Sequence, residues 1–230
     1  MSVNENVESV RGRIRAACER SGRRSDEVRL IAVSKTMPPE LIREAYAAGM
    51  RDFGENRVQE AAAKRQQLSD LDATWHLIGH LQSNKAKLAC QLFDWVESVD
   101  TLHIAEKLNQ SAAPSGRRLP VLLEVNLGKE ASKFGVEEAE VIRLAEGIGR
   151  LDSLELRGLM TLPPFFDDPE EVRPYFRRLR ELARRIEDQN LPGVSMRELS
   201  MGMSHDFEIA VEEGATIVRV GTAIFGPRQY

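Results

Sequence analysis

The chain has 230 residues, 42% of them hydrophobic, with a formal net charge of −4 at pH 7. That length suffices for a full hydrophobic core in one large domain or two small ones. The mildly acidic balance argues against nucleic acid or an anionic membrane surface as the main partner.

Residues 5–22 carry Val7, Val10, Ile14 and Ala17 at helical spacing, which predicts an N-terminal helix. This segment lacks the apolar core of a signal peptide. No apolar run in the chain approaches the roughly 20 residues of a membrane span. Cys18 and Cys90 stand far apart without metal-ligand spacing and read as reduced thiols. The expected compartment is the cytoplasm.

From Leu30 onward, β-type and amphipathic segments alternate. The strand candidates are "RLIAVS", "RDFGE", "TWHLIGH", "DWVESV", "PVLLEVNL", "LELRGLMTL", "RELSMG" and "TIVRVG". Between them, "EEAEVIRLAEGIG" predicts a helix with Val136, Ala139, Ile142, Ala145 and Ile148 on one face. "PYFRRLRELARRIEDQ" predicts another, with Phe176, Leu179, Leu182 and Ile186 inward. Pro174 either starts that helix or kinks one beginning near Asp168. Eight strands alternating with helices predict a single-domain (β/α)8 barrel of the TIM type, an architecture that usually takes about 250 residues. The helix after the eighth strand is missing, and residues 1–28, as an N-terminal helical extension packed on the barrel, could cover that gap. A doubly wound open sheet is the alternative, although no Gly-x-Gly-x-x-Gly follows the first strand. No linker, low-complexity tract or internal repeat divides the sequence.

In such a barrel the chemistry sits at the C-terminal ends of the strands. Those ends are rich in Ser, Asn, Gly and Lys, and their plausibly inward carboxylates are Glu55, Asp100 and Glu124. His76 and His80 are four apart, but on a strand that separation spans about 13 Å. They therefore do not share a zinc ion, and structural hydrogen bonding is the favoured role. "LSMGMSHD" sets Ser200, Gly202 and Ser204 where a strand gives way to a helix, and "VRVGTAIFG" sets Gly221 and Thr222 just after an apolar strand. Backbone N–H groups in such turns hold phosphate, and loops after strands 7 and 8 are its usual place in these barrels. Glycine-rich turns also occur simply because tight loops need them.

Two cations stand out. Arg219 lies within an apolar strand and needs a partner. That partner is either a barrel carboxylate such as Glu124 or a ligand in the barrel mouth. Lys35, at the end of the first strand, either reaches water over its apolar stem or serves as an amine nucleophile. In the second case desolvation near Arg219 lowers its pKa, and a phosphate-bearing aldehyde cofactor would complete the site.

The stretches "AVSKT", "FGENRVQE", "WHLIGHLQSNK", "EVNLGKEASKFGV", "LRGLMTLPP", "LSMGMSHDFEIA" and "VRVGTAIFG", in this order from about Leu30 to Gly226, resemble the YggS/PROSC family of pyridoxal phosphate homeostasis proteins. The resemblance implies a barrel related to the N-terminal domain of bacterial alanine racemase, with Lys35 forming the internal aldimine of pyridoxal 5'-phosphate. It implies further that Ser200, Gly221 and Thr222 hold the phosphate, with Gly202 shaping the turn. Arg219 would face the pyridine nitrogen and Asn56 would line the pocket. Family members often carry Pro where this chain has His80, and Asp or Ala where it has His205.

An arginine does not give up its proton to the ring nitrogen, so the cofactor is a weak electron sink. Racemases place bases on both faces of the substrate. Here Tyr46 and Tyr175 fall on outer helices, Tyr230 is terminal, and no second domain supplies an opposing tyrosine. The expected function is therefore storage or delivery of pyridoxal phosphate by a monomer, with PLP-dependent apo-enzymes as recipients and without strong turnover. A minimal PLP-dependent amino-acid racemase is the enzymatic alternative, and a cofactor-free barrel enzyme acting on a phosphorylated metabolite is the third.

Overall fold

The computed structural model describes residues 1–128 and 134–227. Among these residues, eight parallel strands close into a barrel in strict chain order, β1 to β8, with β8 returning to β1. The strands are β1 (Arg29–Val33), β2 (Asp52–Glu55), β3 (Thr74–Leu77), β4 (Trp95–Val99), β5 (Leu119–Glu124), β6 (Leu154–Met160), β7 (Val194–Ser200) and β8 (Ile217–Val220). The helices are α1 (Val3–Arg20), α2 (Pro39–Ala47), α3 (Val58–Gln67), α4 (Ala86–Leu92), α5 (Leu102–Ala112), α6 (Val141–Gly149), α7 (Arg173–Glu187), α8 (Phe207–Glu212) and the short α9 (Thr222–Phe225). The barrel predicted from the sequence is the observed fold.

Strand alternation separates two cores. Outward residues such as Phe53, Trp75, Val96, Leu123, Val218 and Val220 pack under the helices. Inward residues Ile31, Trp95, Leu122, Met160 and Ile217 form a second apolar cluster. Since alternate residues of a strand face opposite sides, the positions two further along from several of these also point inward. They are Glu97, Glu124 and Arg219, and all three are buried.

Among the described residues only the short α9 follows β8, and the N-terminal helix packs against it. A capping box, with the Ser2 and Glu5 side chains each bonded to the other's backbone N–H, starts α1. Val7, Val10, Ile14 and Ala17 are buried as the spacing predicts. α1 packs on α2, α8 and α9. Arg23 donates to the carbonyls of Val211 and Ala215, and Asn6 to that of Ile224. A short helical turn over Ser25–Glu27 links α1 to β1.

Two helices refine the sequence reading. In α6 the buried residues are Val141, Leu144, Ala145 and Ile148, whereas Ile142 is exposed. The helix proper begins at Val141, and Val136 instead bridges Val125 beside the barrel. The shorter helix is thus rotated relative to the one predicted from Val136. Pro174 falls in the first turn of α7, after a helical turn over Pro169–Val172 that Asp168 caps. Among the described residues no helix is long and apolar enough to cross a membrane, and Cys18 and Cys90 are free thiols.

β6 and β7 pair at Gly158, where a Cβ would sit 1.8 Å from the carbonyl oxygen of Glu198. That neighbour is backbone in a paired strand and has no flexible end to swing away. Gly158→Ala is therefore expected to lower stability by about 1–3 kcal/mol, read as a reduced urea midpoint. An unchanged midpoint would mean that the barrel relaxes freely at this seam.

Candidate functional site

A cavity of about 430 Å³ opens at the C-terminal ends of the strands, where the chemistry of such barrels is placed. Lys35, Asn56, Glu124, Arg219, Gly221 and Thr222 line it, as do Ser204, His80 and His205. The β1, β2 and β8 ends thus deliver five of the sequence-predicted residues to one space. Ser200 and Gly202 are the two that lie elsewhere.

Lys35 follows directly on β1 and is half-buried. The backbone on both sides of it is pinned. The buried Lys64 ammonium, from α3, donates to the Ser34 carbonyl at 2.7 Å, to Glu55 Oε1 at 2.8 Å and to Glu60 Oε1 at 2.7 Å. Ser34 Oγ donates to the same Glu55 oxygen, and the Thr36 amide donates to Glu60. Thr36 has φ of 65°, uncommon for a β-branched residue, and this bonding holds it there. Burial raises the Glu55 pKa against the pull of Lys64. Lys64 was not legible as a site residue, since on its helix it looks like an ordinary surface lysine.

At the opposite wall, two backbone N–H groups converge on one hydroxyl oxygen. Gly221 and Ala223 donate to Ser204 Oγ at 3.2 and 3.3 Å. Asp206 holds this turn by accepting the Met203 amide at 2.6 Å. Gly202 shapes it from below with φ of +92°, and a Cβ there would lie 2.5 Å from that of Ala210. Gly202 is therefore a packing and turn residue that does not face the cavity.

Ser200 does not border the cavity. As the last residue of β7 its side chain points into the barrel, where the hydroxyl donates to Glu97 Oε2 at 2.6 Å and accepts from Arg219 Nη1. It is fully buried and committed on both sides, so the cavity-facing hydroxyl of the "SMGMS" turn belongs to Ser204. Both serines lie in the same motif, and only the exact end of the strand separates their directions.

Beneath the cavity a chain of buried polar groups runs down the barrel. Arg219 donates through Nη2 to the Thr161 carbonyl at 2.8 Å and through Nη1 to Ser200. Ser200 meets Glu97, whose other oxygen lies 2.8 Å from His76 Nδ1, and His76 Nε2 lies 3.1 Å from Asp52. Burial lowers the Arg219 pKa, opposed by Glu97, Glu124 and Asp206. Burial pushes Glu97 up, but His76, Arg219 and Ser200 outweigh it and hold that carboxyl below its usual range. Burial pushes His76 down, but Asp52 and Glu97 reverse the effect and raise it. With a carboxylate at each ring nitrogen, His76 donates on both sides. His76 thus has the hydrogen-bonding role expected of it, and His80 stacks on Phe134 at 3.7 Å. Among the described residues no His, Cys, Asp and Glu group forms a metal site.

The alanine racemase N-terminal domain model matches residues 6–229. The chain belongs to that family. A pyridoxal phosphate homeostasis protein of Aquifex aeolicus is 47% identical over 230 residues, covering all of both chains. One from Pseudomonas aeruginosa is 46% identical, covering 100% of this chain and 97% of that protein. PipY of Synechococcus elongatus, solved with PLP bound, is 42% identical with a TM-score of 0.87, across 98% of this chain and 100% of that one. An alanine racemase of Clostridium difficile shares the fold at 16% identity and a TM-score of 0.71, matching 57% of its own length.

The raised His76 pKa has a consequence for stability. Its contribution is complete below the unfolded value near 6.5 and is lost as pH rises through the folded value. Urea titrations above pH 6.5 should show the wild type losing stability relative to His76→Gln. Parallel pH profiles for the two proteins would exclude a charged His76.

Proposed function

We propose that this protein binds pyridoxal 5'-phosphate reversibly through Lys35 and acts in its homeostasis in the cytoplasm, without amino-acid turnover. The observation that carries this reading is the convergence, in one cavity, of an amine, an arginine and an anion cradle. Lys35, Arg219 and the Ser204–Gly221–Ala223 turn all border the same space. That donor set fits the cofactor, which needs a primary amine for its aldehyde, a partner for its ring nitrogen and N–H and hydroxyl donors for its phosphate. When bound, it supplies an aldehyde carbon that joins primary amines and a ring that withdraws electrons.

Each residue then has a physical task. Lys35 offers its amine from a backbone that Lys64 holds still. Ser204, whose Oγ accepts from the Gly221 and Ala223 N–H groups, would hold the phosphate, with Thr222 beside it and Gly202 fixing the turn. Asn56 forms part of the cavity wall with Lys35. Arg219, locked by Ser200 and the Thr161 carbonyl, would face the ring nitrogen as a donor that does not release its proton.

The same features support the absence of turnover. Exchange of an α-proton needs a strong electron sink and a base within hydrogen-bond reach, and Arg219 withholds the first. No tyrosine lines the described cavity. Tyr46 and Tyr175 lie on α2 and α7, and Tyr230 lies outside the described residues. A monomeric single-domain barrel with PLP-dependent apo-enzymes as recipients completes the proposal, supported by the homeostasis names of the relatives.

Borohydride reduction of the purified protein should fix the cofactor on Lys35, identified by peptide mass, and Lys35→Ala should abolish the adduct. Recovery of the adduct mainly on Lys85, or on Lys133 outside the described residues, would move the site. Ser204→Ala should weaken cofactor retention by about 1 kcal/mol, or up to about 3 if the bond is charge-assisted, and pyridoxal without phosphate should bind far less tightly. Equal affinity for the two aldehydes would remove the anion cradle from the site.

With L-alanine in heavy water, the protein should give no meaningful α-deuteration or D-alanine. Turnover of about 1 per second or faster, in the ordinary enzyme range, would promote the racemase reading.

A further inference from the structure

Glu124 is a buried carboxyl with no hydrogen-bond donor among the described residues. It closes β5, is 5% exposed and borders the cavity. The neighbouring buried acids each have at least one oxygen engaged, although Glu55 Oε2 has no partner among the described residues. Glu97 meets His76 and Ser200, Glu55 meets Ser34 and Lys64, and Asp206 meets the Met203 amide. Among the described residues no donor bonds the Glu124 side chain, and such a group is costly unless something else supplies the donor.

Its surroundings select the class of donor. Asp100, just past β4, is close enough to act on Glu124 by charge, and His80 Nδ1 lies 3.6 Å from Asp100. Two acids side by side repel an anionic group and favour a cation carrying N–H donors. Arg219 approaches from β8 and is already bonded to Ser200 and Thr161. Lys35 and His205 border the same cavity from the β1 and β7 ends, and Glu97 lies below on β4.

Resting on the cofactor reading of this cavity, we propose that Glu124, with Asp100 beside it, forms a subsite for the ammonium group of an incoming primary amine and removes its proton. An ammonium ion has no lone pair, so an amine entering at neutral pH must lose a proton before it attacks the aldehyde carbon. Burial and Asp100, against Arg219, push the Glu124 pKa up to about 7, which suits a group that both takes and returns a proton near neutrality. In the exchange, the bond from the aldehyde carbon to the incoming nitrogen forms and the bond to the Lys35 nitrogen breaks. The three hydrogens of the incoming ammonium end on Lys35, one of them carried by Glu124, and nothing is oxidised or reduced. Glu124 thereby governs release of the cofactor from Lys35 to amines.

The test is stopped-flow absorbance of the loaded protein mixed with methylamine or L-alanine across the neutral pH range. Rates are normalised to the cofactor that borohydride fixes on Lys35 in each variant. The wild-type rate should rise through an inflection near pH 7. Glu124→Gln should remove that inflection and slow exchange at neutral pH by about 10²-fold, and Glu124→Asp should restore part of the rate. Asp100→Asn should shift the inflection to lower pH, because it removes the charge that raises Glu124. Infrared difference spectra of wild type against Glu124→Gln, taken without amine, should show a carboxylic acid band that titrates near the same pH. A Glu124→Gln rate within about twofold of wild type, or an inflection that survives the substitution, would overturn the subsite. A wild type that fixes no cofactor on Lys35 would instead overturn the cofactor reading beneath it.

Discussion

The interaction on which the structure depends is the burial of Arg219 inside the barrel. A guanidinium withdrawn from water is tolerable only if its hydrogen bonds and its charge are both answered. Here the answer extends through Ser200 and Glu97 to His76 and Asp52. Charges along this line alternate in sign, so each member is stabilised by its neighbours while burial alone would neutralise it. Asp52 lies at the start of β2, where Arg29 approaches it at 3.7 Å and stacks over Trp95. The chain therefore connects the base of the barrel to the floor of the cavity. Networks of this kind are rigid when every member is satisfied and damaging when one is not, which makes the orientation of Arg219 a property of the whole barrel.

A second buried cation serves the other side of the site. Lys64 binds the Ser34 carbonyl, Glu55 and Glu60 together, and so fixes the backbone immediately before and after Lys35. The Lys35 side chain therefore borders, from a held strand end, a cavity whose opposite wall is held by Ser204, Asp206 and Gly202. Two independent polar clusters thus set the distance across which a bound molecule must reach. α1 supports the second cluster by packing on α8 and α9 and donating to the Ile224 carbonyl. This is the structural use of a helix placed where the barrel has only four helical residues after β8.

The likeness to an alanine racemase at 16% identity is one of fold. In this chain the cations are committed by hydrogen bonds to holding their positions, and the cavity-facing acid is unbonded among the described residues. On the function proposed above, such a site would keep and exchange an aldehyde-bearing ligand rather than draw electrons from it.

The sequence by itself determined the barrel, because eight β-type runs alternating with amphipathic segments have few ways to bury both sheet faces. It also determined the glycine turns after strands 7 and 8, Lys35 near a strand end, and the need of Arg219 for a partner, since a charge inside an apolar strand is visible without coordinates. Glu97 carries the same signal in "DWVESV" but stood unused, because one strand does not reveal which carboxylate on another strand lies opposite. Only the tertiary structure decided that question, through the inter-strand register that sets Ser200 between Glu97 and Arg219. It likewise set Ser204 on the cavity and Ser200 inside the barrel, because strand alternation turns a one-residue uncertainty in where β7 ends into opposite side-chain directions. The rotation of α6 was beyond the sequence as well: the predicted helix included Val136, which instead bridges Val125, and the face that is buried is set by the shorter helix from Val141.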